Sequence, residues 1–308
     1  MSDNTSGFTD RITTNTTLLP TVQAWELYLQ DQGKSIYTIK SFLGDIRLLA
    51  SYFPPDKTLG SISTNDLNNF LNWLTSGRGV PCSPKSYARR ITTLKSFFRW
   101  LYNFGILPAN PAEKIVQKSV VSPLPVVLTD KEQTQIIETV NQLRQAEKAD
   151  ARPYALAMLI LETGIKKGEC LAIDLNHIDL TNPEDPFLFV RYANPQYRYK
   201  ERKIPLSLTW IEAFNEYAQQ YEPDEKLFPW SPRRLEYILE DLGEAAGLAK
   251  HLSFDMCRWS SSLNDWNNGV EHDKIRQKLG ISKIQWREIS MKLRKLANPL
   301  IDREDEKK

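Results

Sequence analysis

The chain has few residues of the kinds that build disulfide scaffolds and metal centres. Its 308 residues include three scattered cysteines, with no Cys-x-x-Cys pair, and three histidines without the spacing of metal ligands. Disulfide-rich domains and zinc modules depend on paired, regularly spaced cysteines. The sequence therefore excludes both of these classes, and it predicts a protein of the reducing cytoplasm that uses no metal or other cofactor.

Long hydrophobic runs are also missing. The longest one covers residues 154–161, whereas a membrane-spanning helix needs about 20 apolar residues. The N-terminal residues contain no apolar segment of the kind found in secretory signals. We therefore expect no membrane partner. The composition, 41% hydrophobic and 25% charged, is that of a globular protein, and the length favours two domains.

Acidic residues are absent from one long stretch, between Leu67 and Ala112. The same stretch is rich in basic side chains interleaved with aromatic ones, and the basic residues are Arg78, Lys85, Arg89, Arg90, Lys95 and Arg99. A surface with charge of one sign suits the phosphate backbone of DNA. The alternative is an ordinary solvated helix face. Charge alone does not distinguish the two, because the net charge is only +2.

Hydrophobic periodicity predicts a mainly helical chain with one small β-hairpin, an α+β protein. Four helices are expected at about 21–32, 35–52, 64–75 and 84–103. Further helical patterns begin at Thr129, where Thr-x-x-Glu forms a capping box. Residues 187–206 change to a pattern typical of two strands, with Asn194-Pro195 as the turn.

These patterns divide the chain into five parts. We predict a mobile tail at 1–18, a helical DNA-binding domain at 19–104, a proline-containing linker at 105–128, a second domain at 129–300 and a charged tail at 301–308. Four prolines and no sustained period mark the linker.

Four motifs in the second domain show a family resemblance. They are TGIKKGECLAIDLNHID at 163–179, KERKIPL at 200–206, SFDMCRWS at 253–260 and NGV followed by IRQKLGIS at 268–282. The motifs occur in this order and follow four predicted helices. Together they resemble the corresponding segments of tyrosine recombinases of the phage-integrase and Xer type. The resemblance implies a helical, SAM-like core-binding domain joined to a catalytic-type domain, and double-stranded DNA as the partner.

The chemistry of that family implies which residue types to look for. A tyrosine attacks the scissile phosphate, two arginines hold its oxygens, and a lysine and histidines move protons. In this chain only Arg258 matches in kind, at the second arginine. Lys166 stands at the first arginine, and lysine lacks the planar, bidentate donor arrangement of arginine. Asp255 stands at the first histidine, where an acid would repel phosphate.

The remaining positions also depart from the family pattern. The hairpin lysine falls on Tyr197, with Arg198 and Lys200 nearby. Later family positions fall on Trp259 and Ile281, and the nucleophile falls on Ser290. No tyrosine occurs after Tyr237, so a small misalignment cannot supply one. From the spacing of Asp255 and Arg258 on a helix we also expect the two side chains to form an ion pair.

Three interpretations follow from this pattern. The first is a DNA-binding recombinase relative that has lost strand cleavage and acts as an accessory factor, with an active paralogue or a second copy of itself as partner. The second is an active enzyme that uses Ser290 with Lys166 and Arg258. The third is a protein-interaction factor that no longer binds DNA. The residues expected to contact DNA are Lys85, Arg89, Arg90, Lys95, Arg99 and Arg258.

Overall fold

The computed structural model describes residues 12–80, 82–116 and 123–298. Its contacts divide the chain into two units, Met1–Pro123 and Leu124–Lys308. The described residues contain twelve α-helices and one three-stranded sheet, which confirms the predicted fold class. None of the described helices is long and apolar enough to cross a membrane.

The first unit is built from four helices, α1 (Leu18–Asp31), α2 (Ile36–Tyr52), α3 (Thr64–Asn72) and α4 (Pro84–Asn103). Side chains that accept backbone N–H bonds start the last three. Ser63 forms a capping box with Asp66 at the start of α3. Trp25 lies at the centre of the core, edge-on to Phe97 with 5.1 Å between ring centroids.

Segments on both sides of these helices belong to the same core, which the sequence did not predict. Ile12, from the expected mobile tail, is buried, and Thr14 and Thr16 accept backbone hydrogen bonds from the Leu59–Ser61 turn. Buried side chains from the first part of the expected linker are Ile106, Leu107, Ala112 and Ile115. Residues 1–11, 117–122 and 301–308 of these predicted segments lie outside the described residues.

The second unit surrounds helix α6 (Arg152–Thr163), which is buried on almost every side. Packed against it are α5 (Asp130–Gln145), α8 (Leu208–Tyr221), α9 (Pro232–Ala245) and α10 (Phe254–Asn267). The remaining helices are α7 (Lys167–Leu171), α11 (His272–Lys278) and α12 (Lys283–Ala297).

The sheet is antiparallel, in the order β1 (Ile178–Asp179), β2 (Phe187–Val190) and β3 (Arg202–Pro205). Leu188 pairs with both Ile178 and Ile204. The predicted hairpin corresponds to β2 and β3, whereas β1 is too short to produce a periodic signal. The predicted turn at Asn194-Pro195 is longer than expected, because residues Pro195–Lys200 form a 3₁₀ turn.

Candidate nucleic-acid interface

A pocket of about 690 Å³ in the second unit contains three of the residues that the sequence singled out. Lys166 lies at the entry to α7, and Asp255 and Arg258 lie on α10. Helix α9 forms the opposite wall with Arg233 and Tyr237. The fold therefore brings together residues that lie about ninety positions apart in the chain.

The walls of the pocket carry charges of both signs. Lys166, Lys167, Arg233 and Arg258 supply four cations, and the carboxylates are Glu236, Glu240 and Asp255. One pair is already formed, because the Lys167 ammonium contacts the Glu236 carboxylate. The Lys166 ammonium lies 3.9 Å from the buried Glu169 carboxylate, and neither Arg233 nor Arg258 forms an ion pair within 4 Å in the part of the chain that the structure describes. Arg233 and Arg258, and to a lesser degree Lys166, are therefore the cations that the pocket can offer to an anion.

Lys166 owes its position to the turn that ends α6. Gly164 has a φ of 59°, a left-handed conformation that glycine adopts without strain, and it reverses the chain after Thr163. Lys166 then precedes α7 with its side chain 41% exposed. Burial lowers the pKa of Lys166; Glu169 opposes this shift, and the nearby charges of Arg258, Lys200 and Arg202 reinforce it.

Arg258 connects two parts of the second unit. Its guanidinium donates to the carbonyl oxygen of Gly164 and, at 2.7 Å, to that of Leu279, which follows α11. Burial lowers the pKa of Arg258 to about 10, so the side chain stays charged at neutral pH. A guanidinium has five N–H donors, and two serve these carbonyls. No other hydrogen bond of this guanidinium occurs among the described residues.

The expected ion pair between Asp255 and Arg258 does not form. Asp255 is exposed in the first turn of α10, and the described part of the chain shows neither a hydrogen bond nor an ion pair within 4 Å between the two side chains. The reason is that Arg258 extends towards the carbonyls of Gly164 and Leu279. The spacing on one helix permitted a pair, but partners from α6 and α11 compete for the guanidinium.

Beneath the pocket lies a buried ion pair that the sequence analysis missed. Glu169 accepts two hydrogen bonds from Arg202, at 3.1 and 2.9 Å, and one from the Tyr192 hydroxyl. It also accepts the backbone N–H of Lys166 at 2.9 Å. Burial opposes ionisation of Glu169, but the bonds from Arg202 outweigh it, and the pKa falls to about 2.

Arg202 extends this buried network to α11. Its Nε donates to the carbonyl of Lys278 at 2.6 Å, and its guanidinium packs against Gly280, where a β-carbon would lie 2.5 Å from Nη1. Glu169 and Arg202 lie within two of the family-like motifs, TGIKKGE and KERK. These motifs were the only sign in the sequence that the two residues matter, because nothing in their spacing shows that the two side chains form an ion pair.

The other sequence-derived positions lie outside this pocket. Tyr197 and Lys200 belong to the 3₁₀ turn between β2 and β3. Ile281 is buried with Ile275 and Leu279. Ser290, on α12, donates to the carbonyl of Arg287 at 3.2 Å, as serines in ordinary helices do.

In the first unit, two of the five predicted basic residues on α4 have an internal acidic partner. Asp45 of α2 is buried; Arg89 contacts it at 2.7 Å and Arg90 at 3.5 Å. Arg90 also donates to the Cys82 sulfur at 2.7 Å. The stretch of sequence that lacks acidic residues is therefore partly neutralised in the fold by an acid from another helix. Of the others, Lys85 and Arg99 are exposed and Lys95 is half-buried.

No cluster of three or more His, Cys, Asp and Glu side chains able to hold a metal ion occurs in residues 12–80, 82–116 and 123–298. The candidate site consists of cationic side chains: an exposed face of α4 in the first unit, and the pocket with Lys166 and Arg258 in the second. Each is suited to phosphate oxygens, through charge and N–H donors.

Both units match known sequence families. The sequence model of the phage integrase family matches residues 126–290, and that of the phage integrase N-terminal SAM-like domain matches residues 22–105. Among curated proteins, the chain is 27% identical over 271 residues to the tyrosine recombinase XerC of Anoxybacillus flavithermus, covering 82% of this chain and 86% of that protein. The XerC of Pediococcus pentosaceus is 25% identical over 270 residues, with the same coverage.

Solved structures share the fold at low sequence identity. The XerH recombinase bound to palindromic difH substrate, in a post-cleavage complex, aligns with a TM-score of 0.71 and 16% identity, over 96% of this chain and 92% of that one. A lambda integrase dimer bound to a COC' core site aligns with a TM-score of 0.68 and 18% identity, over 89% and 77% of the two chains. Both neighbours are DNA-bound recombinases.

Proposed function

Because the chain belongs to the phage integrase family of tyrosine recombinases, we propose that it binds double-stranded DNA without cleaving it and acts as an accessory factor in recombination. The proposal rests on a site that keeps cations suited to phosphate but lacks the residue type that the family uses as its nucleophile. The pocket keeps cations that suit a phosphate, Lys166 and Arg258, while no tyrosine follows Arg258 in the sequence.

Binding to DNA is supported by where the cations lie. Lys85 and Arg99 project from α4, and Lys166 and Arg258 line the pocket of the second unit. Arginine and lysine at such positions neutralise phosphates and release counterions, which makes the affinity depend on salt. The DNA-bound state of the XerH and lambda integrase neighbours agrees with this assignment.

Loss of cleavage is supported by the residues that replace the family's catalytic groups. Ser290 stands where the nucleophile is expected, and its hydroxyl is bonded to a backbone carbonyl rather than to a base. A serine needs an adjacent base to become nucleophilic. Lysine at position 166 provides one point charge instead of two aligned donors. Because catalytic groups act as a unit, loss of the nucleophile removes nearly all turnover.

The accessory role implies a second recombinase chain, either an active paralogue or another copy of this chain. One structural neighbour is a lambda integrase tetramer on a Holliday junction, with a TM-score of 0.69 and 18% identity. A chain that occupies its place in such an assembly without cutting would set which strands its partner cleaves.

The test combines a cleavage assay with a binding assay. The full-length protein is incubated with nicked suicide duplexes and run on denaturing gels, and its affinity for intact duplex is measured across a salt series. We expect no covalent adduct, and an affinity that falls steeply with salt. An adduct that disappears in Ser290→Ala would establish the enzyme alternative. Failure to bind any duplex would favour the protein-interaction alternative.

Two variants test whether DNA binding depends on the pocket or only on the positive charge of the protein as a whole. Lys166→Ala removes a cation in the pocket and should lower the log–log salt slope by up to about 0.9. Lys148→Ala removes an exposed cation of the same unit that does not line the pocket, and it should leave the slope unchanged. Equal slopes for both variants would remove the pocket from the DNA interface.

A further inference from the structure

The turn between β2 and β3 presents aromatic rings to solvent among basic side chains. Tyr199 is 71% exposed and Tyr197 is 39% exposed. Between Arg191 and Lys203 the chain carries five basic residues and a single acid, Glu201. Neither tyrosine is used by the buried Glu169–Arg202 pair or by the pocket.

A cation lies beside both rings. The Lys200 ammonium is 4.5 Å from the ring centroid of Tyr197 and 5.3 Å from that of Tyr199. An ammonium at this distance is attracted to the electron-rich ring face. The turn therefore combines flat aromatic surface with a positive charge that can hold a phosphate next to it.

The turn is held in place by hydrogen bonds from its own ends. The Asn194 side chain accepts a hydrogen bond from the backbone N–H of Gln196 at 3.0 Å. The backbone N–H of Glu201 donates to the carbonyl oxygen of Arg198 at 2.9 Å. Glu201 also accepts the backbone N–H of Tyr192 through its side chain. Because the turn is already ordered, little conformational entropy is lost when a ligand stacks on its rings.

These features fit one class of ligand. In a regular duplex both faces of each base are covered by the neighbouring bases. An unpaired base exposes a face that can stack on aromatic side chains. Peptide and lipid ligands do not combine a flat ring with a phosphate at each repeat.

We propose that Tyr199 and Tyr197, with Lys200 beside both rings, form a stacking site for unpaired bases in DNA, so that the protein prefers bulged or gapped DNA over regular duplex. The proposal rests on the DNA binding proposed above and adds the structural form of the DNA. Tyr199 supplies most of the stacking surface, because it is the more exposed ring.

Two labelled probes of the same sequence test this, a regular duplex and a duplex with a short central bulge of unpaired thymines. Stacking on an aromatic side chain adds affinity for each unpaired base, so we expect the full-length protein to bind the bulged probe about tenfold more tightly. Tyr199→Ala should lose this preference and Tyr199→Phe should keep it. Tyr37→Ala, at a tyrosine of the first unit that is 78% exposed, is the matched control and should also keep it.

A second readout reports stacking directly. The fluorescence of 2-aminopurine placed in the bulge should be quenched by the wild type and by Tyr199→Phe, but not by Tyr199→Ala. If duplex and bulged probes bind equally well, or if Tyr199→Ala keeps the preference, the stacking site is wrong while DNA binding stands. If neither probe binds, the proposed function itself fails.

Discussion

Replacing Glu169 with glutamine tests whether the buried ion pair beneath the pocket stabilises the second unit. The Glu169 side chain is 2% exposed and that of Arg202 is 8% exposed. Glutamine has nearly the same shape, but it cannot offer two acceptor oxygens to the guanidinium. The variant therefore leaves the charge of Arg202 buried without a counterion.

The pKa shift gives the size of the expected effect. The pKa of Glu169 falls from its usual 4.5 to about 2, and each unit corresponds to about 1.4 kcal/mol. Glu169→Gln should therefore reduce the free energy of unfolding by about 3 kcal/mol at neutral pH. This agrees with the range of about 3–5 kcal/mol for removing one partner of a buried pair.

The sign of the pH dependence follows from the direction of the shift. A carboxylate whose pKa is lowered in the folded state stabilises the fold above its ordinary pKa, and this contribution disappears as the pH falls towards 2. Urea unfolding, followed by tryptophan fluorescence, should show a difference between wild type and variant that is full at neutral pH and much smaller at about pH 3.

Two results would refute this reasoning. One is a loss below about 0.5 kcal/mol at neutral pH, which is the size expected of a surface substitution. The other is a loss that does not change with pH. The double variant Glu169→Gln, Arg202→Met serves as the control, because removal of both charges should recover part of the stability that the single variant loses.

Four further substitutions follow from the structure. Arg90→Ala should lower the stability of the first unit by about 2 kcal/mol, because it removes one partner of the buried Asp45; Arg99→Ala, at an exposed site, should leave thermal unfolding unchanged and lower the salt slope of DNA binding by about 0.9. Gly280→Ala should destabilise the second unit by about 1 kcal/mol or more in chemical denaturation, since the backbone there has a φ of 58° and a new side chain would meet a buried guanidinium; unchanged stability would contradict the observed packing. Asp255→His should tighten DNA binding in a gel shift with little change in melting temperature, because the acid is exposed and unpaired with Arg258; a lower melting temperature with unchanged affinity would instead indicate the ion pair that the sequence suggested.

Local features of this protein could be predicted from the sequence because their causes are local. The Thr129–Glu132 capping box forms as its spacing indicated, with hydrogen bonds between residues three positions apart. The apolar period placed α1, α2, α3 and α4. The absence of tyrosine beyond Tyr237 likewise needs no structure, since a missing residue type limits the chemistry in any fold.

Which side chains meet was decided by tertiary packing. Asp45 lies 44 positions from Arg89, and Arg258 lies 94 positions from the Gly164 carbonyl that it contacts. No periodic pattern links such distant residues, because partners across a core are chosen by how helices pack. The short apolar segment from Ile106 to Ile115 is buried for the same reason. The sequence by itself determined the helices, the family motifs and the absence of tyrosine after Tyr237, while only the packed structure decided which charged side chains are paired within the protein and which stay exposed.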